Sequence, residues 1–314
     1  MININSTILK VNSVFKSMGN RLIINDVSFE TYSGEVFGFL GPNGAGKTTT
    51  IKMILGLLDI DKGDVEICGI NVNKHFEKAM LNIGGIVENP ETYNYLTGLQ
   101  NLRQYKRMRA DVTEERIREV VKIVGLENRI NEKVKRYSLG MKQRLGLAQA
   151  IMHKPKLLIL DEPTNGLDPA GIRELRDILK KLAHEEGVAV LVSSHLLSEM
   201  ELMCDRVGII VNGNILGVQT VKELITRTSG GHKLVKFNVG NVEKAVSVVK
   251  EMQLNVSNIS IAGFDVSLDS DAVIGEINKN LVYAGINVTG VLPIERSLED
   301  IFIEITSTGG TQIA

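Results

Sequence analysis

Residues 35–58 read EVFGFLGPNGAGKTTTIKMILGLL, and this stretch decides the fold class. An apolar run comes first, and a glycine-rich turn follows it. Apolar residues then recur at Ile51, Ile54, Leu55 and Leu58. A short apolar run is typical of a buried strand, whereas a recurrence every three or four residues is typical of a helix. The stretch therefore predicts one strand, loop and helix in succession.

The turn itself, GPNGAGKT at residues 41–48, matches GxxxxGK[S/T] in the context that this motif requires. Its glycines allow backbone N–H groups to converge on phosphate oxygens at a helix N-terminus, where the helix dipole also favours an anion. Lys47 adds a positive charge for the β and γ phosphates, and the Thr48 hydroxyl can ligate Mg²⁺. The alternative is a glycine-rich turn that matches by chance. The predicted nucleotide-binding residues are Gly41, Pro42, Asn43, Gly44, Ala45, Gly46, Lys47, Thr48 and Thr49.

Two further apolar runs predict that this unit belongs to a mostly parallel sheet. PKLLILDEP at residues 155–163 and GVAVLVSS at 187–194 are short and uninterrupted, as strands covered on both faces are. Helical patterns at 113–126 and 139–152 lie between the first unit and these strands and predict a helical subdomain.

Charged side chains follow both of these strands, at the rim where the phosphate loop also lies. Asp161 is expected to hold Mg²⁺ through water, and Glu162 to orient or deprotonate an attacking water. His195, which follows the next strand, is expected to sense the γ-phosphate and position the water. The alternatives are solvated strand-end carboxylates and a structural histidine.

The chain is predicted to contain two domains. The first spans residues 1–225 and includes the helical subdomain at about 89–155. The polar stretch 226–231 is predicted as a linker. Residues 232–314 have patterns for strand, helix, strand, strand, helix and strand, the order of a small ferredoxin-like α+β domain. Since this second domain has no cofactor motif, it is interpreted as a regulatory or dimer-supporting module.

Composition excludes several classes of function. The 36 Lys and Arg balance 37 Asp and Glu, so a formal net charge of −1 gives no reason to expect nucleic acid as a partner. The two cysteines, Cys68 and Cys204, have neither metal-site nor disulfide spacing and are interpreted as ordinary thiols. No apolar run approaches the roughly 18 residues of a membrane helix, and no signal-peptide pattern is present. A membrane function would therefore need another chain.

With YSLGMKQR at residues 137–144, the set of motifs closely resembles the ATP-binding subunit of ABC transporters over about residues 7–220. The signature motif of that family is usually LSGGQ, and Ser138 and Gly140 retain it whereas Leu139 and Met141 depart from it. The other matches are Lys47 and Thr48 to Walker A, Asp161 and Glu162 to Walker B, GLDP with Asp168 to the D-loop, and His195 to the switch histidine.

The resemblance implies an α/β P-loop NTPase fold of the RecA-like, ABC type that binds ATP and Mg²⁺. In this family the signature contacts the γ-phosphate bound by the opposite subunit. Ser138, Gly140 and Asp168 are thereby implied to bind nucleotide across a head-to-tail dimer, which could be a homodimer or a heterodimer. A separate transmembrane permease chain is also implied, with this chain in the cytoplasm, peripheral to the inner face of the membrane.

Two positions depart from the family pattern. Met18 stands where an aromatic residue usually stacks on adenine, and it is interpreted either as an adenine platform or as ordinary filler. Glu88, in IVENPETYNYLTG at residues 86–98, stands where the family has the Q-loop glutamine. Glu88 is expected to act at Mg²⁺ and the catalytic water and to couple ATP hydrolysis to the permease. The alternative is a solvated carboxylate with no role. This variant, with SLEDIFIEIT at 297–306, resembles the branch that exports bacitracin and lantibiotics.

Two rival functions remain at this point. A soluble ABC ATPase acting on ribosomes or DNA typically has two cassettes or a long coiled-coil insertion, and this chain has a single cassette and near-neutral charge. A P-loop GTPase or kinase would not need a signature helix, and the chain has no NKxD guanine-reading motif.

Overall fold

The computed structural model describes residues 6–228, 233–268, 270 and 272–294. They divide into two compact units with the boundary between Val221 and Lys222. The strands of the first unit are β1 (Thr7–Met18), β2 (Arg21–Tyr32), β3 (Val36–Leu40), β4 (Lys62–Ile67), β5 (Ile70–Asn71), β6 (Ile83–Ile86), β7 (Leu157–Asp161), β8 (Ala189–Ser194), β9 (Arg206–Val211) and β10 (Asn214–Thr220). The helices are α1 (Lys47–Ile54), α2 (Phe76–Met80), α3 (Gly98–Lys106), α4 (Glu114–Ile123), α5 (Leu139–Ile151), α6 (Pro169–His184) and α7 (Leu197–Met203). Helix α8 (Val221–Thr228) begins at the boundary, and its residues from Lys222 onward belong to the second unit.

The central sheet has six strands in the order β10-β9-β3-β8-β7-β6. The five strands from β9 to β6 run parallel, and β10 pairs antiparallel with β9. Every residue of β3 and of β7 is buried, as expected for strands covered on both faces. The prediction of a mostly parallel sheet is confirmed. Because β3, β6, β7 and β8 share one direction, their carboxyl ends meet at one edge.

Helix α1 is shorter than the pattern of apolar residues predicts. It ends at Ile54, and Gly56 with φ +64° turns the chain out of the helix. The N–H of Leu57 closes this turn by donating to the carbonyl oxygen of Lys52 at 2.8 Å. Leu58, predicted as part of the helical stripe, therefore lies outside the helix, although it still packs against the core.

The helical subdomain contains α3, α4, a 3₁₀ turn at Val134–Arg136, and α5. Thr113 caps α4 by accepting a hydrogen bond from the N–H of Arg116. The Arg116 guanidinium donates to the carbonyl oxygens of Ile151 at 2.8 Å and Met152 at 3.2 Å, so it ties α4 to the end of α5. The helices predicted at 113–126 and 139–152 are confirmed.

An antiparallel sheet of order β2-β1-β4-β5 completes the first unit. Its apolar side chains share one buried core with the parallel sheet and helix α1. Phe29 of β2 stacks on Phe37 and Phe39 of β3, with ring centroids 5.3 Å apart in both pairs. This packing fixes β3, and with it the loop that leads into α1.

In the second unit, four strands form an antiparallel sheet in the order β12-β13-β11-β14, with two helices packed on it. Phe237 and Phe264 stack in its core with centroids 5.9 Å apart. The chain order of strand, helix, strand, strand, helix and strand agrees with the predicted ferredoxin-like arrangement. The elements are β11 (Lys233–Val239), α9 (Val242–Glu251), β12 (Val256–Ser260), β13 (Gly263–Leu268), α10 (Ala272–Tyr283) and β14 (Val288–Ile294).

The junction differs from the predicted linker. Helix α8 includes residues 226–228, because Val221 and Leu224 are buried one turn apart and anchor a helix where the polar composition predicted a flexible segment. The rest of that linker and the predicted SLEDIFIEIT stretch lie outside the described residues. Among the described residues, no helix is long and apolar enough to cross a membrane.

Candidate functional site

The loop at residues 41–46 joins β3 to α1 and has the backbone conformation of a phosphate cradle. Gly44 and Gly46 have φ of +80° and +111°, a region that favours glycine. A Cβ on Gly41 would overlap the carbonyl oxygen of Ile210, so a side chain cannot be accommodated there. No side chain caps the N-terminus of α1, and its first N–H groups are available to an anion.

A cavity of about 270 Å³ opens beside this loop. It brings together residues from the loop, the start of α1 and the carboxyl ends of two strands. Six of the nine predicted nucleotide-binding residues line it, together with Glu162 and His195, whereas Asp161 does not. The lining residues are Ile23, Asn43, Gly44, Gly46, Lys47, Thr48, Thr49, Glu162, Asn165 and His195.

Lys47 is a buried cation at the centre of this site. Its Nζ donates to the carbonyl oxygen of Gly41 at 2.7 Å and lies 3.2 Å from Glu162 Oε1. A buried ammonium group stays charged only with such partners. The geometry therefore presents a fixed positive charge to the cavity.

Glu162 is held at three points. Its Oε1 faces Lys47, its Oε2 lies 2.8 Å from Nδ1 of His195, and its backbone N–H donates to Oγ of Ser193 at 2.8 Å. The residue has φ +48°, a left-handed conformation that costs a non-glycine residue free energy. The carboxylate is thereby directed into the cavity between a lysine and a histidine.

Asp161 is buried and accepts two hydroxyl hydrogen bonds. Thr48 Oγ1 donates to its Oδ2 at 2.8 Å, and Ser193 Oγ donates to its Oδ1 at 2.6 Å. A hydroxyl and a carboxylate beside a phosphate cradle fit Mg²⁺, which typically takes one or two protein oxygens with substrate phosphates and water. Within the described ranges, no group of three or more His, Cys, Asp or Glu residues could hold a metal by itself.

Ser138 and Asp168 lie outside the cavity and cap separate helices. Ser138 Oγ accepts from the N–H of Met141 at 3.2 Å at the start of α5, and Asp168 Oδ1 accepts from the N–H of Gly171 at 2.8 Å at the start of α6. Gly140 lies in the first turn of α5, where a Cβ would contact Leu167 at 3.6 Å. The signature and D-loop segments are thus neighbours, and Ser138, Gly140 and Asp168 do not line the cavity of their own chain.

Two predicted residues are not brought to the cavity. Met18 ends β1 and pairs with Arg21 across a hairpin, with about half of its side chain exposed. Glu88 Oε1 pairs with Lys52 Nζ at 3.1 Å, and 67% of the glutamate side chain is exposed. In this structure Glu88 has the solvated position of the simpler interpretation and does not line the cavity.

Several residues that the motifs did not single out belong to the site. Ile23 and Asn165 line the cavity, and Ser193 contacts both strand-end acidic residues. Thr164 Oγ1 also donates to Glu199 Oε2 at 2.5 Å, which fixes the segment after Glu162 to helix α7. Asn165 and Ser193 lie close to motif residues in the sequence, and this proximity could have indicated that they belong to the site. Nothing in the sequence indicated Ile23, because its position at the cavity depends on how β2 packs.

The two cysteines take no part in this site. Cys204 is buried with Sγ 3.3 Å from Sδ of Met200, and burial raises the pKa of its thiol. Burial also raises the pKa of the half-buried Cys68. Both groups therefore remain protonated thiols of low reactivity at neutral pH.

Comparisons with known proteins agree with this geometry. A family model described as ABC transporter matches residues 24–165. An uncharacterised ABC transporter ATP-binding protein of Bacillus subtilis, YhcH, is 52% identical over 96% of both chains. The bacitracin transport ATP-binding protein BcrA of Bacillus licheniformis is 39% identical over 98% of this chain and 99% of its own.

A solved structure described as a dimeric bacterial ABC transporter cassette is 26% identical, with a TM-score of 0.61 over 68% of this chain and 98% of its own. Its likeness confirms the P-loop NTPase fold predicted for the first unit. This chain therefore belongs to the ATP-binding proteins of ABC transporters and is a nucleotide-binding ATPase subunit of such a transporter.

Proposed function

We propose that this chain hydrolyses MgATP to power a separate permease that exports a peptide antibiotic. The observation that carries the hydrolytic part is the position of the Glu162 carboxylate, 3.2 Å from Lys47 and 2.8 Å from His195 in one cavity. The similarity to BcrA, which spans 98% of this chain and so includes the second unit, supports the cargo class.

In this proposal the loop N–H groups and Lys47 hold the phosphates. Lys47 contacts both the loop carbonyl of Gly41 and the carboxylate of Glu162, so the γ-phosphate end of ATP lies close to the acid. Thr48 and Asp161 would hold Mg²⁺ beside the phosphate cradle. When bound, the metal neutralises charge that develops on the transferred phosphoryl group.

Glu162 orients the attacking water and accepts its proton. Lys47 and His195 hold the carboxylate by both oxygens, so its orientation is set before ATP arrives. Once Lys47 turns its charge to the phosphates, the carboxylate is free to act as the base. His195 keeps it in place and contacts the γ-phosphate.

A complete site is proposed to need two chains. Ser138 and Asp168 cap helices outside the cavity of their own chain, and both present helix N-termini that suit an anion. We propose that these segments close on the γ-phosphate of a second copy or a related subunit. Sizing of Glu162→Gln with ATP should give dimers, and a protein that stays monomeric at saturating ATP would contradict this arrangement.

The permease is proposed to lie on another chain, with this subunit at the inner face of the membrane. The loop after Glu88 leads into the helical subdomain, which is the part proposed to contact the permease. Membrane fractions of cells that lack the permease should then contain much less of this subunit than fractions of cells that have it.

A resistance assay tests the proposal as a whole. The chain would be expressed with the membrane protein encoded beside it in a sensitive strain, and survival measured against bacitracin and a lantibiotic. We expect protection by the native pair and none by the pair with Glu162→Gln. The rival function, on ribosomes or DNA, predicts no protection and an ATPase rate that rises when ribosomes or DNA are added.

A further inference from the structure

We propose that Ser193 is a positioning residue for hydrolysis, through which the Mg²⁺-binding Asp161 and the proposed base Glu162 are held as one unit. This inference rests on the proposed function, because it assigns Ser193 a role relative to those two acids. The sequence places this serine near the end of the apolar run 187–194 and gives it no role.

The hydroxyl of Ser193 makes one hydrogen bond to each acidic residue. It donates to Oδ1 of Asp161 at 2.6 Å and accepts from the backbone N–H of Glu162 at 2.8 Å. A hydroxyl has one proton to donate and lone pairs to accept with, so both bonds form together. Their formation follows from strand register, since Ser193 of β8 pairs directly with Asp161 of β7.

The bond to Glu162 acts on a strained position. Glu162 has φ +48°, and such a conformation persists only where surrounding contacts fix it. The N–H of Glu162 lies in the peptide plane that leads into this turn, and the hydrogen bond to Ser193 fixes that plane. The serine thus stabilises the backbone turn that directs the carboxylate towards Lys47 and His195.

The second hydrogen bond of Ser193 holds the carboxylate of Asp161 in one orientation. Thr48 occupies Oδ2 of Asp161, and Ser193 occupies Oδ1, so the carboxylate cannot rotate without breaking one of the two bonds. Ser193 is fully buried, so water cannot replace its hydroxyl. Loss of the hydroxyl would leave a buried N–H and a carboxylate oxygen unsatisfied.

The neighbouring serine shows that the arrangement is specific to one position. Ser194 is also buried, but it points to the opposite face of β8, where its hydroxyl accepts from the N–H of Leu196 at 2.9 Å. Two adjacent serines therefore serve different segments, and only Ser193 joins the two acids.

A matched pair of substitutions isolates the hydroxyl. Ser193→Thr and Ser193→Val add the same branched bulk to a strand position, and only threonine keeps the hydroxyl. We expect Ser193→Thr to retain kcat within about threefold and Ser193→Val to lose about 10-fold to 100-fold, as expected for a misplaced catalytic group. The KM for MgATP should stay within about twofold in Ser193→Thr, and in Ser193→Val it should rise by no more than the affinity that is lost at Mg²⁺, because the loop and Lys47 still hold the phosphates.

A binding measurement gives a readout independent of turnover. Affinity for a non-hydrolysable ATP analogue would be measured by equilibrium dialysis with Mg²⁺ and with EDTA. Ser193→Val should lose part of the gain in affinity that Mg²⁺ provides, because Asp161 is no longer fixed, and its affinity in EDTA should match that of the native chain. Equal gains in Ser193→Val and the native chain would contradict the bond to Asp161.

Controls separate this inference from general damage and from the proposed function. Ser33→Ala removes a hydroxyl that donates to the carbonyl oxygen of Gly187 at 2.8 Å, outside the cavity, and reports the effect of losing one hydrogen bond. If both branched variants fail to fold, Ser193→Ala is compared with Ser33→Ala instead, with thermal unfolding measured for each. Equal kcat for Ser193→Thr and Ser193→Val, or for the two alanine variants, overturns the role of Ser193. If Glu162→Gln hydrolyses ATP like the native chain, the proposed function itself fails.

Discussion

Glu162 and Glu88 have similar backbone positions and different surroundings. Each lies just after one of two adjacent parallel strands, since Glu162 directly follows β7 and Glu88 lies two residues after β6. Each has a positive φ, +48° for Glu162 and +65° for Glu88. Each also pairs with a lysine of the same helix, α1, at 3.2 Å and 3.1 Å.

The surroundings separate the two glutamates. The side chain of Glu162 is 17% exposed and that of Glu88 is 67% exposed. Glu162 has further bonds to His195 and Ser193, whereas the bond to Lys52 is the one hydrogen bond described for the Glu88 side chain. An exposed ion pair contributes only about 0–1 kcal/mol, so the carboxylate of Glu88 can leave Lys52 at little cost.

This difference in surroundings indicates that the two glutamates have different functions. A carboxylate held through both oxygens, on a residue whose backbone N–H is also bonded, is already oriented for chemistry, because little reorganisation is left when substrate binds. A carboxylate on a weak surface pair can move with its loop, which suits a residue that transmits nucleotide state to another subunit. We therefore propose that Glu162 serves hydrolysis and Glu88 serves coupling.

The largest effect, on MgATP binding, is expected when Lys47, the lysine partner of Glu162, is replaced. Lys47→Ala removes the buried cation of the site and should weaken MgATP binding by about 10-fold to 100-fold, the value of a hydrogen bond to a charged group. Lys52→Ala is the matched control, since it removes the partner of Glu88 from the same helix and should change affinity less than about twofold. Equilibrium binding of MgATP to both variants measures this, and equal losses would remove the distinction between the two pairs.

Transport should respond strongly to Glu88. With Glu88→Ala, protection by the assembled complex should fall by about tenfold or more, since the loop loses the group proposed to follow the nucleotide. Glu88→Gln keeps the length without the charge and shows which of the two matters. Full protection with Glu88→Ala would establish the plain solvated interpretation and refute the coupling role.

The smallest effect is expected on the pH dependence of stability, through a histidine that contacts β6, the strand that leads to Glu88. His153 Nε2 donates to the carbonyl oxygen of Ile83 in β6 at 2.8 Å, and burial, with a smaller contribution from Arg109, lowers the pKa of this histidine. The unfolded chain then takes up the proton first, so stability is lost as pH falls below about 6.5 and towards the lower folded pKa. His153→Gln, which can still donate to Ile83, should remove this part of the loss.

Thermal unfolding at pH 7.5 and pH 5.5 measures that difference. The native chain should lose more of its melting temperature between the two pH values than His153→Gln does, by a few degrees at most. Equal losses in the two proteins would show that His153 does not anchor β6 in its neutral form.

Sequence predicted the parts of the site that follow from local pattern. The loop at 41–48 lies between an apolar run and a helical period, and the acids at 161 and 162 end an apolar run, so both were identified without a structure. The caps formed by Ser138 and Asp168 are also local, because each side chain accepts a hydrogen bond from the N–H three residues later.

The rest depends on contacts between distant segments. Nothing local shows that Ser193 lies opposite Asp161, because that pairing depends on the register of β7 and β8. The ion pair of Glu88 with Lys52 joins a loop to a helix 36 residues away in sequence, and the position of Ile23 depends on packing of β2. Helix α8 replaced part of a predicted linker because tertiary burial of Val221 and Leu224 outweighed polar composition.

The division of work between the two glutamates is tested most directly by phosphate release from the isolated subunit. Glu162→Gln keeps its shape but cannot accept the proton of water, so its rate should fall by about 10²-fold or more. Glu88→Ala should keep about half or more of the native rate under the same conditions. If Glu88→Ala loses phosphate release as completely as Glu162→Gln, Glu88 belongs to the chemical step and the proposed division is wrong.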